Sequence, residues 1–340
     1  MRDVAARAPV RIDFGGGWTD VPPYPIEEGG RVCSVAIARH ATVRIASHAP
    51  GVVIDAAVED QALPRAALRR AGLTNVSLTL RNDFPRGAGL GGSSAAGVAV
   101  QTALTAWCGE TVRPEVLAER SHLVETDELR VPGGSQDHYA AAFGGALDLR
   151  FGATVTARPI ALSETLRAEL ERRCIVVFTG ESRMSGDTIT AVIDAYRARN
   201  AGVVAALARM KALAGHMVAA LEREAVDDLA QLVGEHWQFQ RALHPRITTG
   251  AIEHVLEVAR RAGARGGKAL GASGGGSVLV IAPSEGADAV RTAVSAVAEL
   301  LPFSVEQHWS RALPSLPGAM FIRIASCDGV GLPRELVRND

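Results

Sequence analysis

Residues 76–107 read VSLTLRNDFPRGAGLGGSSAAGVAVQTALTAW. An alternating β-branched run, a ladder of glycines and an alanine-rich run free of proline follow one another, which predicts strand, tight loop and helix in that order. Gly87, Gly89, Gly91 and Gly92 leave successive backbone N–H groups free to converge on one anion, and the start of the helix adds partial positive charge. With Pro85, Leu90, Ser93 and Ser94 the segment forms a candidate phosphate cradle that contains no lysine. A glycine-rich turn capped by Ser93 or Ser94 is compatible with the same residues. Gly87, Gly89 and Gly92 formally satisfy G-x-G-x-x-G, but Trp107 to Glu110 lead to another helix rather than to a parallel strand ending in an acid, so a dinucleotide-dependent dehydrogenase is disfavoured. The Walker lysine is absent too: Ser93 stands where it is required.

The rest of the chain predicts strands at Val10–Phe14, Arg31–Ile37, Ala41–Ala46 and Val76–Leu80, then helices at Ala95–Trp107 and Pro114–Asp127. A second set follows after Phe151: a strand at Cys174–Phe178, helices between Asp187 and Glu224 and from Thr248 to Ala262, and strands at Ser277–Ile281, Phe303–Gln307 and Phe321–Ala325. Without a regular βαβ beat this is an α+β pattern, and 340 residues favour two lobes. A formal net charge of −1 gives no global footprint for nucleic acid. Apolar runs such as CIVVF fall far short of the ~20 residues that cross a bilayer, and Arg2, Asp3, Arg7 and Arg11 interrupt any secretory h-region. The expectation is a cytoplasmic protein with no membrane or nucleic-acid partner. Cys33, Cys108, Cys174 and Cys327 are scattered and read as free thiols.

A second glycine-rich stretch, RIDFGGGWTDVPPY at 11–24, places Gly15, Gly16 and Gly17 before Trp18, Thr19 and Asp20. Either the backbone lies close against a ligand or another segment of the chain there, or this is an ordinary strand exit.

The proline, glycine ladder, Leu90 and Ser93–Ser94 of the first segment resemble the second motif of the GHMP kinases. RIDFGGGWTD stands in the place of that family's first motif, and KALGASGGGSVLV at 268–280 looks like its third. The resemblance spans about residues 7–281 and implies a two-lobed α+β body: a ribosomal-protein-like N-terminal lobe at 1–172 and a ferredoxin-like C-terminal lobe at 173–340. It implies ATP on Pro85, Gly87, Gly89, Leu90, Gly91, Gly92, Ser93 and Ser94, and Mg2+ on Ser94 and Glu125.

By the same resemblance Asp137, in PGGSQDHYAAAFGG, is the catalytic aspartate, with Ser135 a candidate cap for its helix, and Arg11 stabilises it. Gly16, Gly17, Trp18, Thr19 and Asp20 are implied to hold a sugar. Gly17 and Trp18 replace the Glu-His pair of galactokinases, and the loop is similar to those of heptose 7-phosphate kinases and fucose kinases. A sugar bearing its own phosphate needs a further cation, for which Arg183 and Arg31 are candidates. His138 reads as structural or as a substrate-shell residue. The expected activity is transfer of the γ-phosphoryl group of ATP to an anomeric hydroxyl of a heptose 7-phosphate, with a fucose or hexose 1-kinase, or a sugar sensor that has lost catalysis, as competitors. The expected partner is a small sugar or sugar phosphate, and the expected state a monomer or homodimer.

Overall fold

The computed structural model describes residues 2–181, 186–308 and 310–313. Eleven strands among these form two sheets. The first contains β1 (Asp3–Gly15), β2 (Gly30–Ser47), β3 (Val53–Asp55), β4 (Val76–Asn82), β5 (Ala146–Phe151), β6 (Thr156–Ile160) and β11 (Arg311–Leu313). The second contains β7 (Cys174–Phe178), β8 (Gly266–Ala269), β9 (Ser277–Ile281) and β10 (Glu299–Leu300). The strand order is β11-β1-β2-β4-β3 in the first sheet, with β5 pairing β2 and β6, and β10-β7-β9-β8 in the second. Pairing is antiparallel throughout except between β3 and β4. This is the expected two-lobed α+β arrangement.

The helices are α1 (Tyr24–Glu28), α2 (Ala62–Arg70), α3 (Gly92–Cys108), α4 (Pro114–Leu123), α5 (Gln136–Phe143), α6 (Glu164–Arg173), α7 (Gly186–Arg197), α8 (Ala201–Glu222), α9 (Val226–Ala242), α10 (Gly250–Arg261) and α11 (Ala287–Ser295). β1 is buried without a break from Ala8 to its end, as a strand covered on both faces must be. Helices α3, α5 and α8 all pack against it. Apolar all round, α3 is buried from Ser94 to Thr105, as a central helix should be.

Three expectations change. The strands expected at 31–37 and 41–46 are one, β2, which runs through Ala38–His40 because a register shift opposite Pro9–Val10 absorbs the irregularity. The segment 303–307 forms no strand but an isolated antiparallel bridge, Val305 to Ile37 in the middle of β2, where Ala38 N–H donates to Ser304 O at 2.8 Å and Glu306 N–H to Ala36 O at 2.9 Å. α8, at 22 residues, is long and apolar enough to cross a membrane by length and composition. It is half buried, however, against α9, β1 and β2, so its apolar residues face protein. The strand expected at 321–325 and Cys327 lie outside the described residues. Cys33 and Cys174 are buried free thiols and Cys108 an exposed one.

Candidate active site

The site lies where α3 starts. Gly87, Gly89 and Gly91 all adopt positive φ, 68°, 70° and 76°, a region open at little cost only to glycine. Gly91 is the N-cap of α3 and no side chain caps it, so the first N–H groups of a 17-residue helix open onto the loop. Opposite stands the third glycine-rich segment. Ser277 N–H donates to Ala88 O at 2.8 Å, and a Cβ on Gly89 would lie 2.6 Å from Leu270 O. The two glycine loops therefore meet through bare backbone. Pro85, Gly89, Gly91 and Gly92 are half-buried along the cradle, Gly87 and Ser93 exposed. Leu90 departs from expectation: its side chain is buried in the core, and its carbonyl accepts from Arg11 N–H at 3.1 Å.

Arg11 reaches the cradle from β1. Its Nε donates to Asp137 Oδ1 at 2.7 Å and its Nη2 to Oδ2 at 2.9 Å, while Nη1 donates to Gly89 O at 2.6 Å. Such a bidentate, charge-assisted fork fixes the carboxylate in plane and position. Asp137 lies directly against the loop: a Cβ on Gly91 would come within 3.0–3.2 Å of its carboxyl group. Ser135 occupies the N-cap of α5, as expected, but its side chain accepts no hydrogen bond there. Asp20 does the capping instead, accepting from Gln136 N–H at 3.0 Å and from Gln136 Nε2 at 3.2 Å. Burial raises Asp20 to about 7; the Gln136 N–H opposes this, and the charges of Asp137 and Asp13 add to it.

Glu125 flanks the same helix start. α4 ends at Leu123 and the chain continues through one π turn, Val124–Glu128, an irregularity common at functional sites. That turn presents Glu125 to two groups: Ser93 Oγ donates to Oε1 at 2.7 Å, and His138 Nε2 lies 2.9 Å from Oε2. Burial would raise the carboxyl group, but the hydrogen bonds from His138 and Ser93 outweigh it and hold it below its ordinary value. Ser94, expected beside Glu125, points into the core towards His138 Nε2 at 3.2 Å. Successive residues of a helix diverge by about 100°, so only one of the two serines can face the acid. It is Ser93.

The Gly15–Asp20 loop is tighter against protein than expected. A Cβ on Gly15 would lie 2.5 Å from Met217 Sδ, on Gly16 1.9 Å from Arg31 O, and on Gly17 2.6 Å from Asp13 Oδ2. Each glycine admits a neighbouring element of the chain, not a ligand, on the side where its side chain would stand. Thr19 is wholly buried and its hydroxyl is spent on Gly16 O at 2.6 Å and Arg31 N–H at 3.1 Å. Trp18, at φ 77°, is only 6% exposed and packs with Tyr24, Trp237 and Val203 in the core beneath the second sheet. Of the two roles open to it, stacking on a pyranose or filling space in the interior, its burial fits the second. Arg31 is committed to Asp148, at 2.7 and 2.9 Å, and is not a free cation. Arg183 lies outside the described residues.

Several participants escaped the sequence reading. Lys268 from β8 is fully buried and donates to Asp13 O and Oδ2, both at 3.1 Å. His236 from α9 accepts Gly16 N–H at 2.8 Å through Nε2, and burial together with the Lys268 charge pushes it well below its usual range. Only Lys268, inside the third glycine-rich segment, carried any signal.

The family description "GHMP kinases N terminal domain" matches residues 57–145 and "GHMP kinases C terminal" matches residues 217–300. The chain belongs to the GHMP kinase family. Among curated proteins it is 26% identical over 304 residues to the D-glycero-alpha-D-manno-heptose 7-phosphate kinase of Campylobacter jejuni, covering 81% of this chain and 88% of that one. It is 28% identical over 325 residues to the bifunctional fucokinase/GDP-fucose pyrophosphorylase of Arabidopsis thaliana, covering 83% of this chain but only 30% of that protein. In fold it is similar to a D-glycero-D-manno-heptose 1-phosphate kinase from Bacteriodes thetaiotaomicron, with TM-score 0.75 and 24% identity over 92% of this chain and 99% of that one.

A divalent cation beside the nucleotide phosphates is typical of GHMP kinases, and the donors here would suit one. Ser93 and Glu125 offer oxygen alone, next to a helix start that attracts phosphate. Among the described residues no group of three or more His, Cys, Asp or Glu is arranged to hold a metal. A hard ion that keeps its waters and shares the phosphates needs no such cage.

Proposed function

We propose that the chain transfers the γ-phosphoryl group of ATP to the anomeric hydroxyl of a heptose 7-phosphate. The observation that carries this reading is the Arg11–Asp137 fork held against Gly91 at the mouth of the cradle. It holds a carboxylate and a guanidinium against the glycine loop that this reading gives to the phosphates, and Ser93 and Glu125 meet at the same helix start. The heptose 7-phosphate kinase relative supports the choice of sugar. Mg2+ on Ser93 and Glu125 would neutralise charge that builds on the phosphate oxygens.

An aspartate titrates near 4, about eight units below a sugar hydroxyl, so removing the proton before transfer would cost about 11 kcal/mol. Asp137 therefore orients the hydroxyl and accepts its proton late, once bonding to phosphorus has acidified it. Arg11 keeps it aimed. Asp20 takes part through Gln136 by setting the start of α5. Arg183 is proposed to meet the phosphate the sugar brings with it.

The fucokinase relatives and the run Gly16-Gly17-Trp18-Thr19-Asp20 favour a second reading, a fucose 1-kinase. A panel of heptose 7-phosphates, fucose and hexoses, scored by ADP release with the product's phosphate located by NMR, separates the two. ADP release with heptose 7-phosphate and phosphate on the anomeric carbon is the expected result. Turnover of fucose alone selects the second reading, and no turnover with any sugar removes both.

A further inference from the structure

Glu125 is aimed by a side chain from another helix. His138, on α5 and next to Asp137, is wholly buried. Its Nδ1 faces Ser121 Oγ at 2.9 Å, and its Nε2 faces Glu125 Oε2 at 2.9 Å and Ser94 Oγ at 3.2 Å. An ionised carboxylate only accepts, so Nε2 carries a proton towards Glu125, and the Ser121 hydroxyl, which can donate or accept, satisfies Nδ1. Ser121 is itself wholly buried, in a place that α3 leaves for it: a Cβ on Gly97 would stand 2.2 Å from its Oγ. The contacts thus run in one line from the backbone of α3 through Ser121 and His138 to Glu125.

We propose that His138 is the positioning residue of the metal-binding carboxylate, so that one turn of α5 sets Glu125 and Asp137 together. Glu125 rises from a π turn, a break in the regular α-helical ladder. Among the described residues its other side-chain partner is Ser93, an exposed hydroxyl. The fully buried imidazole, hydrogen-bonded at both nitrogens, is the better fixed of the two and defines where the carboxylate stands. Partners of this kind, one shell out from a metal, change affinity by roughly 10–100-fold when removed. The inference rests on the kinase reading, which makes Glu125 a metal ligand.

The test is direct binding of Mn2+ by electron paramagnetic resonance to the ATP-loaded protein, alongside calorimetry of ATP without metal. His138→Ala is expected to weaken Mn2+ binding by roughly 10–100-fold while metal-free ATP affinity stays within a few-fold. His138→Gln, whose Nε2 reaches Glu125 in the place of the ring nitrogen, is expected to recover most of the loss. Ser121→Ala, which frees Nδ1, should produce a smaller loss of the same kind and keeps the test open if His138→Ala does not fold. Unchanged Mn2+ affinity in Ser121→Ala and in His138→Ala, or a loss shared equally by metal-free ATP binding, overturns the proposal. A wild-type protein that binds neither Mn2+ nor ATP overturns the kinase reading instead.

Discussion

Asp13 of β1 and Lys268 of β8 are joined by a buried ion pair between the two sheets, Nζ to Oδ2 at 3.1 Å, with the lysine wholly out of solvent. Burial lowers Lys268, and the charge and hydrogen bond of Asp13 work against that fall. Removing one partner leaves the other charge stranded. Lys268→Met should cost about 3–5 kcal/mol in urea unfolding, whereas the double change with Asp13→Asn should cost less than the single one. Equal losses in the two variants would mean that the pairing contributes little.

Asp137→Asn should lower kcat by roughly 10²–10⁴-fold, the range for a lost proton acceptor. ATP affinity measured by calorimetry should stay within a few-fold, because the cradle is made of backbone that the change does not touch. Unaltered turnover would remove Asp137 from the chemistry.

Gly91→Ala tests the contact between loop and base. At φ 76° an alanine is strained by about 1–2 kcal/mol, and its methyl would stand 3.0–3.2 Å from the Asp137 carboxyl group. The expected outcome is a modest loss of stability with a larger loss of kcat; a kcat that stays at the wild-type level while stability falls contradicts the geometry.

How much of this was legible beforehand follows from where each signal resides. β7 and β9 end where expected because short β-branched runs bounded by glycine or polar residues admit few alternatives. α9 escaped because His236 and Gln240, both buried, break its apolar stripe and no side chain caps its start. The choice between Ser93 and Ser94 depends on a helical phase that neighbouring residues do not reveal. Nothing beside His138 in the sequence marks its role, because its partners Ser121 and Glu125 sit on a different helical segment. The triple glycine marked a close approach and left its partner open, since composition says that something is near a backbone and not what it is; at Gly15, Gly16 and Gly17 it is other segments of the chain.

Those two serines supply a further comparison. Ser93→Ala removes the hydroxyl that reaches Glu125 and should raise the Mg2+ concentration for half-maximal activity by roughly 10-fold. Ser94→Ala, one bond removed from the acid through His138, should raise it less. The reverse ranking would return the metal-facing role to Ser94.

Asp20 gives the site a pH signature. Its folded-state value of about 7 lies above the ordinary carboxyl range near 4, so the native protein holds a proton that the unfolded chain has released. Its contribution to stability is complete below pH ~4, declines as pH rises through about 7, and is flat above. Asp20→Asn should level that slope in denaturation midpoints measured from pH 4 to 8; a parallel slope in the variant would place the proton elsewhere.

The seam between Gly87–Gly89 and Gly271–Gly276 has a mechanical meaning. Ser277 N–H is bonded to Ala88 O, and at Gly89, Gly271 and Gly276 the space of the missing side chain is filled by backbone of the opposite strip, so the two strips are tied together there. A single methyl at any of those three positions would behave as a wedge, resetting the gap between the strips as well as the grip on phosphate.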